Sequence, residues 1–178
     1  MKALFLLTAL MSATILTAST QDADLVNYLK ECREVAMNAD TITDGGALPM
    51  MSHFFKKNFE VRFADANYLS YYAEIESYTG GAHGMTEVTV GTLNRKTGEK
   101  VCVKDLVPAE KMPTLLKALR EGAIQRLGGA EHLQDEVKAT ENFYVAADGL
   151  HFVYNPYEIA CYAKGRVEVV IDLKKLGL

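Results

Sequence analysis

Short runs of alternating apolar and polar residues, typical of strands, precede and follow one long segment whose apolar residues recur at helical spacing. This order of segments constrains the fold most. Between the runs, apolar side chains recur at helical spacing over residues 115–127, until Gly128 and Gly129 end the pattern. Strand patterns cover residues 59–63, 69–78, 85–93, 143–154 and 167–171. Regular strand–helix alternation is absent, which favours antiparallel pairing. The sequence therefore predicts an α+β fold, an antiparallel or mixed sheet packed with one main central helix and an N-terminal helix.

Several local signals refine this outline. Asp24 can cap the N-terminal helix, predicted at residues 25–38, and Asp148-Gly149 is a strong hairpin signal. Residues 101–103 read as a further strand, and residues 130–138 are compatible with a helix. Residues 48–59 are ambiguous, because Met50, Met51, Phe54 and Phe55 could face a core from a short helix.

The N-terminus has the pattern of a secretory signal. One lysine is followed by an uncharged, mostly apolar stretch over residues 3–18, and then by small residues. A transmembrane anchor is the alternative, but the stretch is short and contains several hydroxyl residues. We therefore expect a cleaved signal at residues 1–18, one domain at 19–178, a periplasmic or secreted location, and no stable membrane span after cleavage.

Charge and missing motifs exclude several function classes. The net charge of −4 argues against nucleic-acid binding, since neutralising phosphates needs a basic face. The sequence contains no P-loop, no Gly-x-Ser-x-Gly elbow and no His-Glu-x-x-His helix. Its four histidines are scattered singly, and the three cysteines match no zinc spacing. We expect neither a metal nor a cofactor.

Two motifs carry the remaining chemistry. Three glycines surround His83 in the run from Tyr78 through Gly80 and Gly81 to Gly84, which suggests a tight loop between strands. That loop could hold His83 as a ligand contact or general base, or could be only a tight connection.

The second motif is Asn155-Pro156-Tyr157-Glu158, which leaves the hairpin strand and continues to Tyr162. Glu158 is flanked by tyrosines and an isoleucine, so we expect its carboxylate either to pair with a hydrogen-bond donor or to have a function. His83 is the candidate partner. An isolated histidine–glutamate pair more often has a structural role than an acid–base catalytic role. Tyr157 and Tyr162 are also suited to an interface, because tyrosine offers rigid amphipathic contact area.

These two runs, with Lys104-Asp105-Leu106, Asn142-Phe143 and Asp148-Gly149-Leu150, resemble the C-terminal domain of the RsiV-like family over residues 27–176. That family includes a lysozyme-sensing anti-sigma factor and modules beside peptidoglycan deacetylase domains. One departure is Cys161, where family members usually have proline. The deacetylase metal motif is absent, so the resemblance carries no deacetylase activity to this chain.

The resemblance implies a non-catalytic cell-envelope binding domain whose partner is a lysozyme-like protein or a peptidoglycan fragment. The expected contact residues are Tyr78, Gly80, Gly81, His83, Asn155, Pro156, Tyr157, Glu158 and Tyr162. The alternative is a small envelope hydrolase, or an accessory module of a peptidoglycan-modifying enzyme, with His83 and Glu158 as its catalytic candidates.

Overall fold

A computed structural model describes residues 54–177 of the chain. The predicted signal segment and the predicted helix at residues 25–38 lie outside these residues, and both stay predictions. Residues 54–177 contain six strands: β1 (Phe54–Ala64), β2 (Tyr68–Tyr78), β3 (Met85–Asn94), β4 (Phe143–Ala146), β5 (Gly149–Tyr154) and β6 (Val167–Ile171). The helices are α1 (Val103–Leu106) and α2 (Met112–Leu127), with short 3₁₀ turns at Ala109–Lys111, Ala130–His132, Tyr162–Lys164 and Leu173–Leu176.

The strands form two antiparallel sheets of three strands each. The first sheet has the order β1-β2-β3 and the second has the order β4-β5-β6. The α+β class is confirmed, and the antiparallel pairing agrees with the prediction. The sequence predicts one sheet, whereas the structure has two: β1–β3 form the first, and β4–β6, which follow the long segment that contains α2, form the second.

Helix α2 and the first sheet cover opposite faces of the second sheet. Phe143, Phe152 and Val169 belong to the cluster that α2 completes. Tyr144 and Val153, whose side chains point to the other face because orientation alternates along a strand, pack against the first sheet instead. The described part of the chain is therefore layered as helix, second sheet, first sheet.

The helix α2 follows the predicted stripe with one exception. Leu115, Leu119 and Leu127 are buried at four-residue multiples, which gives the helix one apolar face against the sheet. Leu116 was placed in the same stripe but is 37% exposed, because it lies beside that face. Gly128 ends the helix as predicted, with a left-handed φ of 82° and its N–H donating to the Ile124 carbonyl.

Two local predictions were wrong, and the structure resolves part of one segment that the sequence left ambiguous. Residues 101–103 do not form a strand, because Val103 begins α1, where the Asp105 carboxylate accepts from the Cys102 N–H at 2.8 Å. In residues 130–138 only the turn Ala130–His132 is helical. The ambiguous segment is already strand at Phe54, where β1 begins its pairing with β2. The hairpin is confirmed, but its turn is Ala147-Asp148 and Gly149 already belongs to β5.

Side chains join the two sheets where no ladder does. Asn142 accepts from the Val90 N–H at 2.8 Å and donates to the carbonyls of Val88 and Val153 at 3.0 and 3.1 Å. Buried Thr92 accepts from the Val145 N–H at 2.8 Å, and Ser70 donates to the Val145 carbonyl at 2.6 Å. These bonds satisfy backbone groups that would otherwise be orphaned between the sheets.

Candidate functional site

The two sequence motifs meet at one backbone carbonyl, that of Gly84. His83 Nδ1 donates to this oxygen at 2.9 Å, and the Tyr162 hydroxyl donates to it at 2.6 Å. The His83 and Tyr162 rings stack with centroids 3.8 Å apart and planes inclined by 18°. Because a carbonyl only accepts, Nδ1 carries a proton, which leaves Nε2 as the ring nitrogen facing away from this contact.

Glycines shape the loop that presents His83. Gly80 and Gly81 have φ values of 99° and 102°, a region that glycine enters without steric cost. Tyr78 closes the loop by donating its hydroxyl to the Gly81 carbonyl at 2.9 Å. A Cβ on Gly84 would lie 2.7 Å from the Ser77 carbonyl oxygen, so the loop approaches β2 more closely than a side chain permits.

Tyr157 extends the ring contact outwards. Its ring centroid lies 5.7 Å from that of Tyr162, and 52% of the residue is exposed. The turn around it is held by the Tyr157 N–H, which donates to the Ala160 carbonyl, and by the Glu158 N–H, which donates to the Asn155 carbonyl, both at 3.1 Å. His83, Tyr162 and Tyr157 form a continuous set of rings, which we call the aromatic row.

Asn155 holds this loop to the edge of the first sheet. Its side chain accepts from the Val88 N–H at 2.8 Å and donates to the Val88 carbonyl at 3.0 Å. One amide therefore replaces a missing strand neighbour at β3. The sequence predicts that Asn155 contacts a ligand; in the structure its side-chain polar atoms bind Val88, and the ligand contact stays a prediction.

Glu158 does not partner His83. Within residues 54–177, no hydrogen bond or ion pair joins these two side chains, and Glu158 is exposed. Its charge acts on Tyr154 instead, where burial first and the nearby carboxylate second raise the pKa of the phenol. The His83 loop and the segment from Asn155 to Tyr162 lie together, as predicted, but His83 contacts Tyr162 and not Glu158.

Two shallow depressions flank Pro156 and share Thr86 as a wall. The first, of about 220 Å³, lies between the loop and the outer face of β2 and β3; it is lined by Ile75, Ser77, Met85, Thr86, Glu87, Asn155, Pro156 and Glu158. The second, of about 410 Å³, is lined by Thr86, Pro156, Tyr162, Ala163, Lys164, Gly165 and Arg166. His83 lines neither of them, so neither brings both catalytic candidates together.

A polar cluster that the sequence does not predict lies on the second sheet. His151 Nδ1 is 2.8 Å from Glu168, His151 Nε2 is 2.8 Å from Asp148, and the Tyr144 hydroxyl donates to Glu168 at 2.8 Å. The Tyr144 and His151 rings stack at 4.6 Å. Tyr144 and His151 are opposite each other in the β4–β5 hairpin. The sequence signal for the hairpin turn, Asp148-Gly149, could therefore have been used to predict this pair.

The environment of this cluster shifts its pKa values. Burial alone would lower the pKa of His151, but hydrogen bonds to Glu168 and Asp148 outweigh it and raise the pKa. The His151 hydrogen bond is also the main reason that the pKa of Glu168 falls to about 2 and that the pKa of Asp148 is lowered. With a carboxylate at each ring nitrogen, His151 is arranged as an imidazolium.

Arg166 links this cluster to the first sheet. Its guanidinium donates to the Tyr72 hydroxyl and lies 3.3 Å from Glu74. Arg62 stacks on the same Tyr72 ring, 4.3 Å from its centroid. All these charges have partners, which is typical of a structural network rather than a reactive centre.

No group of three His, Cys, Asp or Glu side chains in residues 54–177 is arranged to hold a metal ion. No helix in this part of the chain is long and apolar enough to cross a membrane.

Two family models match separate parts of the chain. "Protein of unknown function (DUF3298)" matches residues 104–174, which include Asn155 to Tyr162. "Deacetylase PdaC" matches residues 13–86, which include His83. A comparison with curated proteins finds no match.

Solved structures share the fold. A DUF3298 family member from Bacteroides fragilis NCTC 9343 is 24% identical with a TM-score of 0.65, covering 88% of this chain and 62% of that one. A DUF3298 family protein from Pseudomonas aeruginosa PAO1 is 18% identical with a TM-score of 0.60, covering 71% of this chain and 61% of that one. The chain thus spans about three fifths of each. The two matched regions and the shared fold fit a domain of the DUF3298/PdaC type.

Proposed function

We propose that this chain is an exported cell-envelope binding domain that works without catalysis, and that it contacts its partner through the aromatic row and the neighbouring Glu158. The single observation that carries the proposal is Tyr157, a half-exposed tyrosine held at a φ of 73°. A left-handed backbone costs a tyrosine about 1 kcal/mol or more, and such strain is concentrated at functional positions.

The partner we propose is a lysozyme-like protein. Tyrosine is enriched among interface residues that dominate binding energy, and an acidic chain attracts a basic partner at long range. A peptidoglycan fragment is the second ligand to test, because sugar rings can also stack on exposed aromatic faces. The matches to the DUF3298 and PdaC families are consistent with an envelope-associated module, and the signal pattern supports export.

The enzyme alternative has less support. A hydrolase that used His83 and Glu158 would need both side chains around one concave site, within hydrogen-bond reach of a substrate. The stacking of His83 on Tyr162 and the absence of His83 from the lining of both depressions argue against that arrangement. The accessory-module form of this alternative is supported by the match to "Deacetylase PdaC".

Calorimetric titration of the chain with lysozyme at two salt concentrations tests the proposal. We expect saturable binding that weakens with salt, because exposed charges are screened beyond a Debye length of about 10 Å at 0.1 M salt. Tyr157→Ala should weaken binding with an unchanged circular dichroism spectrum, whereas Leu116→Ala, which trims an exposed leucine on α2, should not. No binding at high micromolar concentration would exclude lysozyme and leave the peptidoglycan fragment as the ligand to titrate.

A further inference from the structure

The first depression, which we call the Pro156 groove, has apolar walls and an acidic rim. Ile75, Met85 and Pro156 supply the walls, and Met85 is 42% exposed. Glu87 and Glu158 are both exposed and line the same groove. Within the described residues, no hydrogen bond or ion pair engages either carboxylate, so both are available to a partner.

The neighbouring depression differs in that its cations already have partners. The Lys164 ammonium donates to the Leu127 carbonyl at the end of α2 at 3.1 Å. Arg166 is bound to Tyr72 and Glu74. The uncompensated charge along this loop is therefore negative and is concentrated at the Pro156 groove.

We propose that the Pro156 groove takes a lysine or arginine side chain of a basic partner protein. The methylene stem would lie against Ile75, Met85 and Pro156, and the cationic head would reach Glu87 and Glu158. Long cationic side chains combine these two properties, since their stems bury against apolar surface while their charged ends stay at the rim.

This inference deepens the proposed function and rests on its binding surface, but it is tested with a probe of its own. The probe is a seven-residue peptide of neutral residues around one central lysine, titrated into the ¹⁵N-labelled chain. We expect amide shifts at residues 86, 87 and 158, and affinity about tenfold lower when norleucine replaces the lysine. Norleucine keeps most of the methylene stem and removes the charge, so it isolates the role of the carboxylates.

Variants of both partners complete the test. Glu87→Gln with Glu158→Gln should weaken lysozyme binding about tenfold at low salt. Glu110→Gln, an exposed glutamate next to α2, should not weaken it. Acetylating the lysines of lysozyme should reproduce the loss, and guanidinating them, which keeps the charge, should not.

The outcomes separate this inference from the proposed function. If lysozyme binds and the groove variants behave like Glu110→Gln, the groove inference is wrong and the binding function stands. If lysozyme does not bind but the lysine peptide shifts the groove amides, the inference stands and lysozyme is not the partner. If neither binds, the groove inference is overturned and lysozyme is excluded, and the proposed function is overturned as well only if a peptidoglycan fragment also fails to bind. The groove inference is likewise overturned if a neutral peptidoglycan fragment alone produces the shifts.

Discussion

Tyr157 adopts a left-handed backbone conformation that its side chain makes unfavourable, and it does so where its ring is half exposed. Local hydrogen bonds hold the turn around it, and its ring adds the outer member of the aromatic row. A glycine would satisfy the same turn without strain. The residue is therefore better explained by what its ring can contact than by what its backbone requires.

Substitution of Tyr157 by glycine and by alanine separates these two roles. Tyr157→Gly should raise the free energy of unfolding by up to about 1 kcal/mol, because it relieves the positive φ. Tyr157→Ala keeps the strain and should not stabilise the fold. Both remove the ring, so both should weaken binding equally. Urea unfolding and calorimetry measure the two effects, and greater stability in the alanine variant would contradict the account.

His151 should make the stability of the fold depend on pH. Its pKa is raised, so its stabilising contribution is complete below the unfolded value of about 6.5 and is lost as the pH rises through the higher folded value. The pKa of Glu168 is lowered to about 2, so its contribution is present above the unfolded value of about 4.5 and is lost as the pH falls towards 2. Stability should therefore peak between these two limbs.

Urea midpoints from pH 5 to 9, under reducing conditions, test the alkaline limb. His151→Gln should flatten the fall in stability on this limb. His132→Gln is the matched control, because His132 lies 3.7 Å from an exposed Glu131 and is outside the cluster. An equal pH dependence in wild type and His151→Gln would show that the two carboxylate contacts do not hold the imidazolium.

At the scale of elements, the features that the sequence predicted are those set by neighbouring residues. The stripe on α2 and its end at Gly128 follow from helical periodicity and from the left-handed cap that glycine favours. The β4–β5 hairpin follows from turn chemistry, although its turn lies one residue earlier than expected. Gly149 is required there because a Cβ would overlap the Ile171 carbonyl of β6, a contact that the local sequence does not reveal.

Gly122 sets the distance between α2 and the second sheet. A Cβ at this position would overlap Cγ1 of Val169, which is itself buried. Alanine would gain about 1 kcal/mol of helix propensity, but overpacking costs about 1–3 kcal/mol. We therefore expect Gly122→Ala to destabilise the fold by about 1 kcal/mol in urea unfolding.

A second substitution shows whether the clash with Val169 is the cause. Val169→Ala alone should lose buried contacts, while the double variant should lose less stability than the sum of the two singles, because each change accommodates the other. Additive losses would mean that Gly122 matters for another reason. Arg120→Gly compared with Arg120→Ala, at an exposed position of the same helix, measures the cost of helix propensity alone.

For the whole molecule, the sequence could not predict how the two sheets meet. The contacts that join them link Asn142 to β3 and Ser70 to β4, pairs separated by more than fifty residues. No local periodicity encodes such pairs, and a lone asparagine at a strand end has many equally plausible roles. For the same reason the sequence could not predict the role of the Gly84 carbonyl, which accepts hydrogen bonds from His83 and Tyr162 and so joins the two motifs of the candidate site.

Asn142 should contribute more to stability than its partly buried position suggests, because it binds three backbone groups in two sheets. Asn142→Leu keeps the approximate volume but leaves the Val90 N–H and two carbonyls without this partner. Each unsatisfied buried group costs about 1–3 kcal/mol, and partial rehydration brings the expected total to about 2–4 kcal/mol in urea unfolding.

Two comparison variants make this expectation specific. Asn155→Leu removes only the two bonds to Val88 and should cost less, while it also displaces the loop that carries Tyr157 and so weakens binding. Asn67→Ala, at an exposed turn, should change stability by no more than about 0.5 kcal/mol. If Asn142→Leu were as mild as Asn67→Ala, the apolar packing between the sheets and the bonds of Ser70 and Thr92 to Val145 would be enough to hold the sheets together without the asparagine.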